Sequence, residues 1–168
     1  KIDYDCVFDC RGLGAKSDFS GLRGVRGEAL LLHAPGFQLN RPLRLLHPRY
    51  RCYLVPRGGD DYVLGASEIE SEDMRPVSVR TLLELLSALY SILPELAEAS
   101  VARTMVHCRP ALPDNMPKML CQPGLVAING LYRHGFLLAP WLAESALRYL
   151  QGGGSDALSA LVIEERGA

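Results

Sequence analysis

The chain has 168 residues, of which 48% are hydrophobic and 22% are charged, and its formal net charge at pH 7 is −1. That length suffices for one domain of good size, or for two small ones that share a core. Basic residues stand singly, which argues against general nucleic-acid binding, and no uncharged stretch approaches the ~20 residues that cross a bilayer.

Strand and hairpin patterns dominate the first part of the chain. Residues 4–10 (YDCVFDC) predict a buried strand that runs into a glycine turn, RGLGA. Residues 22–35 combine turn glycines with an apolar run and a Pro-Gly break, and 41–50 predict a short extended piece. The clearest hairpin is 51–67, in which GGDD joins two β-rich runs, and Pro56 indicates an edge or a strand end.

The second part of the chain contains two predicted helices. In residues 78–98, leucines recur at helical spacing behind a Ser78 cap, and Pro94 should end or kink that helix. Residues 101–120 predict a strand that passes into a proline-rich loop, and 125–129 predict a short strand that leads into the second helix.

The second helix is predicted to reach residue 150. Its apolar residues recur at three- and four-residue steps: Leu137, Leu138, Trp141, Leu142, Ala146, Leu147 and Leu150. Residues 151–156 (QGGGSD) predict a flexible break before a short closing helix, SDALSALVIEE. Strands followed by a helix, twice over, indicate an α+β or mixed α/β fold with an antiparallel-rich sheet.

The chain has five cysteines, an odd number without a CxxC pair: Cys6, Cys10, Cys52, Cys108 and Cys121. A zinc site would need a second clustered pair. We therefore expect buried free thiols in a reducing compartment, the cytoplasm, and a cysteine nucleophile is the lesser alternative. Acidic residues after the hairpin, Glu68, Glu70, Glu72 and Asp73, suit a solvated strand end better than a metal site.

Residues 11–17 (RGLGAKS) match two nucleotide-binding motifs only in part. A P-loop needs a glycine where Ala15 stands, and a GxGxxG fingerprint needs a third glycine that is absent here. A tight turn after a strand is the favoured interpretation of this segment on its own.

Arg109 lies at the end of an apolar strand, immediately before Pro110. An arginine near a core needs a partner, because a buried unpaired charge is costly. Its chemistry leaves two roles equally open: a structural ion pair with an internal carboxylate, or a guanidinium fork held for a ligand carboxylate.

Residues 129–140 (NGLYRHGFLLAP) place two glycines, Arg133 and His134 where the second helix begins. The first amides of a helix lack internal acceptors and carry partial positive charge. The segment therefore suits a phosphate, a carboxylate or a flavin carbonyl, and a glycine turn before a core helix is the structural alternative.

Five segments in a fixed order resemble the C-terminal half of FAD-dependent amine oxidases of the D-amino-acid oxidase family, nearest to glycine oxidase of the thiamine-biosynthesis type. The segments are FDCRGLGA, LRGVRGE, RCYLVPRGGDDYVLGAS, HCRPALPDNMP and NGLYRHGFLLAP. The resemblance implies an FAD-domain strand and turn in 1–24, mainly substrate-binding domain in 25–108, flavin-facing segments in 109–150, and a linker with a short helix in 151–168.

The resemblance also implies site residues. Arg109 matches the arginine that binds the substrate carboxylate, Tyr53 matches a tyrosine that assists it, and Arg133 matches the arginine beside the flavin. Arg51 and Glu68 stand where glycine oxidase has a histidine and an apolar pocket residue, so a polar or basic amine is an open substrate. The implied FAD contacts are Arg11, Gly12, Leu13, Gly14, Gly130, Leu131, Tyr132, Arg133, His134, Gly135, Phe136 and Leu137.

The implied reaction is hydride transfer from the α-carbon of a small amino acid or amine to FAD, which gives an imino acid and reduced flavin. Reoxidation of the flavin by oxygen then gives hydrogen peroxide. No catalytic acid or base is expected, because orientation does most of the work. The family's N-terminal GxGxxG unit is not among these residues, so we expect a fragment that is inactive alone. A flavin dehydrogenase that uses an electron carrier, a silent module that binds small carboxylates, and a homo-oligomer all stay open.

Overall fold

The computed structural model describes residues 4–46 and 52–152 together with the backbone of 163–165. The chain divides into two compact units, a first unit of Lys1–Val25 with Arg109–Ala168, and a second unit of Arg26–Cys108. From the resemblance we assign FAD binding to 1–24 and 109–150 and mainly substrate binding to 25–108, and these roles stay predictions.

The described residues form nine strands and two α-helices, with short 3-10 helices at Gly12–Ala15 and Pro94–Leu96. The elements are β1 (Val7–Asp9), β2 (Arg23–His33), β3 (Leu43–Arg44), β4 (Tyr53–Gly58), β5 (Asp61–Gly65), α1 (Val79–Ile92), β6 (Ser100–Ala111), β7 (Lys118–Gln122), β8 (Leu125–Asn129), α2 (Gly135–Leu150) and β9 (Ile163–Glu165).

The second unit is organised around a five-stranded sheet in the order β3-β4-β5-β2-β6. The pairs β3–β4, β4–β5 and β5–β2 are antiparallel, which confirms the predicted hairpin and the α+β class. Strand β3 pairs only with Tyr53 and Leu54 of β4. Pro56 therefore lies outside the β3–β4 pairing. Proline has no backbone N–H, and in this position no hydrogen bond to β3 is lost.

One face of this sheet is buried beneath α1. Leu30, Leu54 and Leu64 are at most 1% exposed and cluster with Leu85 and Leu89 of the helix. Alternate strand residues point to the same face, so the core is drawn from every second position of three neighbouring strands.

Both predicted ends of α1 are confirmed. The Ser78 hydroxyl accepts a hydrogen bond from the Thr81 N–H at 3.2 Å, which satisfies one of the unpaired amides of the first turn. The last residue of the helix is Ile92, and Leu93 follows it as the cap, directly before Pro94.

The first unit is organised around a four-stranded sheet in the order β1-β8-β7-β9. Strand β1 is parallel to β8, whereas β7 and β8 form an antiparallel pair. Met119, Cys121 and Val126 are almost fully buried on one side, where Ala146 of α2 joins them. Another cluster contains Phe19, Leu112 and Ala127, among others.

Three predictions about strands and the chain end are wrong. The strand in 4–10 is not buried, since Val7 and Phe8 of β1 are 49% and 46% exposed, because β1 is an edge strand paired with β8 alone. Glycines in 22–28 do not turn the chain, because Gly24 and Gly27 lie inside the extended strand β2, where Arg26 bonds the backbone of Ile69 and Ser71. Residues 163–165 are strand β9, paired with β7, and not helix.

The other residues of the predicted closing helix, and most of the predicted break at 151–156, lie outside the described residues.

Helix α2 is confirmed, but its predicted apolar face is mostly uncovered in this chain. Leu142 and Ala146 are 1% exposed, whereas Leu137, Leu147 and Leu150 are 76%, 56% and 45% exposed. Neither α1 nor α2 combines the length and apolar character that a membrane-spanning helix requires.

Replacing Leu64 by Ala should lower the free energy of unfolding by about 2–5 kcal/mol, because it removes methyl groups from a fully buried site and leaves a cavity. Leu83→Ala is the matched control, since Leu83 on α1 is 63% exposed and its loss should cost less than about 1 kcal/mol. Denaturant unfolding of the intact protein measures both changes, and equal losses would contradict the assignment of the core.

Candidate functional site

Three segments that the sequence singled out separately lie together in the first unit. The side-chain amide of Asn129 donates to the carbonyl of Gly12 at 2.8 Å. The Tyr132 N–H donates to the carbonyl of Pro110 at 3.1 Å, and a Cβ on Gly12 would lie 3.7 Å from Cγ of Pro110. The turn after β1, the end of β6 with Arg109, and the loop before α2 therefore meet.

Asn129 is a structural link that sequence reasoning missed. It is 2% exposed, and besides its bond to Gly12 it accepts a hydrogen bond from the Gly130 N–H at 2.8 Å. The available signal was a polar residue at the end of the apolar run LVAIN, immediately before a glycine. A buried amide in that place needs partners, and both lie in segments of the candidate site.

The loop before α2 adopts a left-handed backbone at two residues, Gly130 with φ +76° and Tyr132 with φ +50°. A Cβ on Gly130 would lie 2.7 Å from Cδ1 of Leu112, so close packing accounts for this glycine without a ligand. The Leu131 carbonyl accepts the His134 N–H at 2.9 Å, which closes the loop into a turn. A glycine turn before a core helix, the alternative to a ligand site, thus explains Gly130.

Gly135 is different, because no neighbouring atom lies within 4 Å of the position that its Cβ would take. Phe136 and Leu137 beside it are 100% and 76% exposed. His134 precedes the helix without a capping side-chain bond, and the first turn contains no acidic residue. The partial positive charge of the helix start is therefore not offset locally, and its open backbone fits an electron-rich group such as the expected flavin carbonyl.

The turn after β1 fits a cofactor through its backbone better than through Arg11. The Arg11 guanidinium lies 2.6 Å from Asp9 and 2.8 Å from Asp18. Hydrogen bonding to Arg11 holds the pKa of Asp9 below its usual range. Arg11 is thus paired with two carboxylates, and one arginine with two aspartates leaves a formal net charge of −1. A cavity of about 200 Å³ beside them is lined by Asp9, Arg11, Asp18, Leu120, Gln122, Leu125 and Ala127.

Two carboxylates at that cavity disfavour a phosphate there. Leu13 packs against the apolar cluster of the first unit, whereas Gly12 and Gly14 leave backbone within reach of a ligand.

Both candidate arginines of the first unit are half-buried, Arg109 in β6 and Arg133 in the loop before α2. Each already takes part in an interaction, so neither guanidinium is idle. Both kinds of role open to Arg109 at the level of sequence remain compatible with this placement.

The candidate residues of the second unit lie on and after the β4–β5 hairpin. Tyr53 is half-buried on β4 and pairs across the sheet with Gly65. Glu68 is exposed and follows the end of β5. On either side of it the backbone bonds β2, from Ser67 to Glu28 and between Ile69 and Arg26. Arg51 lies outside the described residues.

Within the described ranges, no group of acidic, cysteine and histidine side chains has an arrangement that could hold a metal ion. The five cysteines are free thiols, as predicted. Burial raises the pKa of Cys52, which disfavours the thiolate form. The expectation that all five are buried is wrong for Cys10, which is exposed, and for Cys6, which is half-buried.

A buried ion pair holds the segment that carries Glu68, and the sequence reasoning missed it. Arg26 and Glu28 of β2 are 5% and 0% exposed and bond to each other. Arg26 also donates to the carbonyls of Arg75 at 2.7 Å and Pro76 at 2.9 Å. The signal was RGE at the start of an apolar run, where two charges in one strand must find partners.

Glu28 in turn connects β2 to the start of α1. Its carboxylate accepts hydrogen bonds from the N–H and the hydroxyl of Ser78 at 3.2 and 3.1 Å. Burial by itself would raise the pKa of Glu28, but hydrogen bonds from Thr81, Arg26 and Ser78 outweigh it. The pKa therefore lies below its usual value, and the carboxylate is charged at neutral pH.

Comparison with known proteins relates this geometry to one family. The profile of a family described as FAD dependent oxidoreductase matches residues 1–148. A Rhizobium etli protein named as a thiamine biosynthesis oxidoreductase is 46% identical over 149 residues, which are 89% of this chain and 46% of that one. Glycine oxidase of Geobacillus kaustophilus is 29% identical over 132 residues, 76% of this chain and 34% of that one.

The crystal structure of glycine oxidase from Bacillus cereus superposes with a TM-score of 0.72 at 28% identity, covering 83% of this chain and 39% of that one. The chain thus spans less than half the length of each of these three relatives.

Replacing Glu28 by Gln should lower the free energy of unfolding at pH 7 by about 3–5 kcal/mol, because it removes the buried carboxylate that bonds Arg26. The more distant Asp73 carboxylate, 3.8 Å away, is then the remaining ion-pair partner of Arg26 among the described residues. Because the pKa of Glu28 is lower in the folded state than in the unfolded state, its charge stabilises the fold fully at pH values above the unfolded-state pKa of about 4.3. This stabilisation is lost as the pH falls through the folded-state pKa. The difference in the free energy of unfolding between wild type and variant should therefore become smaller in acid.

Denaturant unfolding of the intact protein at several pH values measures that gap. Glu144→Gln is the control, since Glu144 is 61% exposed in an i,i+4 pair with Arg148 and should change stability by less than about 0.5 kcal/mol. A gap that stays constant from pH 7 into acid would show that the Glu28 charge does not carry the effect.

Proposed function

Because this chain belongs to the D-amino-acid oxidase family of FAD-dependent oxidoreductases, we propose that the protein oxidises a small amino acid or amine, as a glycine-oxidase-like enzyme of thiamine biosynthesis. FAD, when bound, supplies the two-electron acceptor for that oxidation. The imino acid and hydrogen peroxide are the proposed products.

The observation that carries this proposal is the meeting of three segments in the first unit. Pro110 and Tyr132 are 22 residues apart in sequence, and Gly12 is farther from both. They are joined through Asn129 and backbone bonds. Each stretch was implicated by a different feature: a glycine turn, an arginine next to proline, and a glycine-rich helix start. Their convergence supports a common ligand rather than three unrelated structural turns.

The helix start of α2 is the proposed holder of the flavin ring. Its first amides carry partial positive charge, the first turn contains no acidic residue, and Gly135 leaves the backbone open. A fixed positive potential favours negative charge on a bound group. We assign Gly130, Leu131, Tyr132, Arg133, His134, Gly135, Phe136 and Leu137 to this role, and the backbone of Gly12 and Gly14 to the rest of the cofactor.

Arg109 and Tyr53 are the proposed substrate residues. A guanidinium can grip a carboxylate with two parallel charge-assisted hydrogen bonds, and a tyrosine hydroxyl can add a third donor. Glu68 is a proposed contact for a cationic group of the substrate, and Arg51 is assigned to the same pocket by resemblance. A polar or basic amine is therefore a proposed substrate beside glycine.

Activity is proposed for the longer protein that the relatives represent, since this chain spans under half of their length. The exposure of Val7, Phe8, Phe136 and Leu137 supports the idea that cofactor or further polypeptide covers these apolar groups. Residues 1–24 and 109–150 are assigned to FAD and 25–108 mainly to substrate, and this chain alone is expected to be inactive. The free thiols support a reducing compartment, the cytoplasm.

The first test is an absorbance spectrum of the full-length protein with FAD, followed by anaerobic addition of glycine, sarcosine and a panel of polar and basic amines. Bleaching of the flavin bands by one amine, with peroxide formed on admitting air, is the expected result. Bleaching without peroxide would favour a dehydrogenase that uses an electron carrier. A protein that takes up no FAD but binds small carboxylates would overturn the proposal.

Arg109→Ala should raise KM for the amine about 100-fold, the loss of about 3 kcal/mol expected when one partner of a charge-assisted pair is removed, and it should leave the flavin spectrum unchanged. Arg103→Ala is the matched control, because Arg103 is exposed on the same strand. Steady-state kinetics measures KM for both variants. If Arg109→Ala and Arg103→Ala had equal KM values, Arg109 would be assigned to a structural ion pair.

A further inference from the structure

The face of the second unit's sheet opposite α1 carries a row of three residues from three strands. Tyr53 on β4 pairs with Gly65 on β5, and Gly65 pairs with Ala29 on β2. The neighbouring row, which includes Leu64, is buried beneath α1, so alternation directs this row to the other face. Two small residues thus lie beside one large aromatic residue.

The Tyr53 ring occupies the space above Gly65. A Cβ on Gly65 would lie 2.6 Å from the Tyr53 hydroxyl oxygen, 2.7 Å from Cζ and 2.9 Å from Cε2. A Cβ atom does not approach other atoms so closely, so any side chain at position 65 must displace the ring. The backbone of Gly65 is not left-handed, so the close approach of the ring accounts for glycine at this position.

The Tyr53 hydroxyl is available to a ligand, unlike that of the other tyrosine in this hairpin. The Tyr62 hydroxyl donates to the carbonyl of Phe37 at 2.7 Å, and Tyr62 is 3% exposed. Tyr53 is half-buried, and within the described part of the chain its hydroxyl has no hydrogen-bond partner. Among the described residues, its orientation is therefore set by packing on Gly65 and not by a hydrogen bond.

We propose that Gly65 is a positioning residue for substrate binding: its missing side chain lets the Tyr53 ring lie across β5, and this fixes where the hydroxyl is presented. The inference rests on the proposed function for the role of Tyr53 toward substrate. It extends that function to a residue with no polar group, which acts only through its neighbour.

The test compares Gly65→Ala with Tyr53→Phe and Tyr53→Ala in the full-length FAD-loaded protein. Gly65→Ala should raise KM about 10-fold, similar to Tyr53→Phe, as expected for losing one hydrogen bond to a charged group, and kcat should change less. The ring can swing away, so folding should survive. In the Tyr53→Ala background the same change should leave KM nearly unaltered, because no ring remains to be displaced.

Gly36→Ala is the control for lost stability. Gly36 has φ +83° with no atom within 4 Å of its Cβ position, so alanine there should lower Tm without altering KM. An unchanged KM for Gly65→Ala, or an equal increase with and without the Tyr53 ring, would overturn the inference.

NMR of tyrosine ring resonances separates this inference from the proposed function, because it needs no substrate. The Tyr53 signal, assigned through Tyr53→Phe, should shift in Gly65→Ala and stay in place in Gly36→Ala. A Tyr53 signal that does not shift in Gly65→Ala would overturn the positioning role of Gly65, even if the enzyme is active. A shifted signal in a protein that no amine reduces would uphold the geometry and overturn the proposed function instead.

Discussion

The ion pair of Arg26 and Glu28 is the interaction on which the second unit depends. Two charges inside a folded unit are tolerated only when both are fully bonded. Arg26 bonds Glu28 and backbone carbonyls of the segment after β5, whereas Glu28 bonds the residue that caps α1. A single pair therefore fixes the sheet, the segment that carries Glu68 and the start of the helix at once.

The first unit achieves a similar connection with neutral groups. The Asn129 amide and two backbone carbonyls join the turn after β1, the end of β6 and the loop before α2. No charge is needed for that connection, and the first turn of α2 contains no acidic residue that would offset the partial positive charge of its amides. The chemistry proposed for a flavin requires a helix start without a carboxylate, since a carboxylate there would repel the negative charge that develops on the flavin.

Local patterns predicted some elements well and others poorly, for physical reasons. The β4–β5 hairpin and α1 are set by turn residues, a cap and a proline within the segment itself. Strand β2 runs through two glycines, and Arg26 between them bonds the backbone of Ile69 and Ser71, which lie far away in sequence. The exposure of β1 and α2 was missed because periodicity reports which side is apolar, not what covers it.

The sequence by itself determined the family, the flavin cofactor and the candidate residues, because five ordered segments carry chemistry that can be compared residue by residue. Only the tertiary structure decided that Gly12, Pro110 and Tyr132 meet. It alone also decided that Arg26 and Glu28 form one buried pair, and that Gly65 underlies the Tyr53 ring. Each of these is a contact in space, and contacts depend on strand pairing that no local pattern encodes.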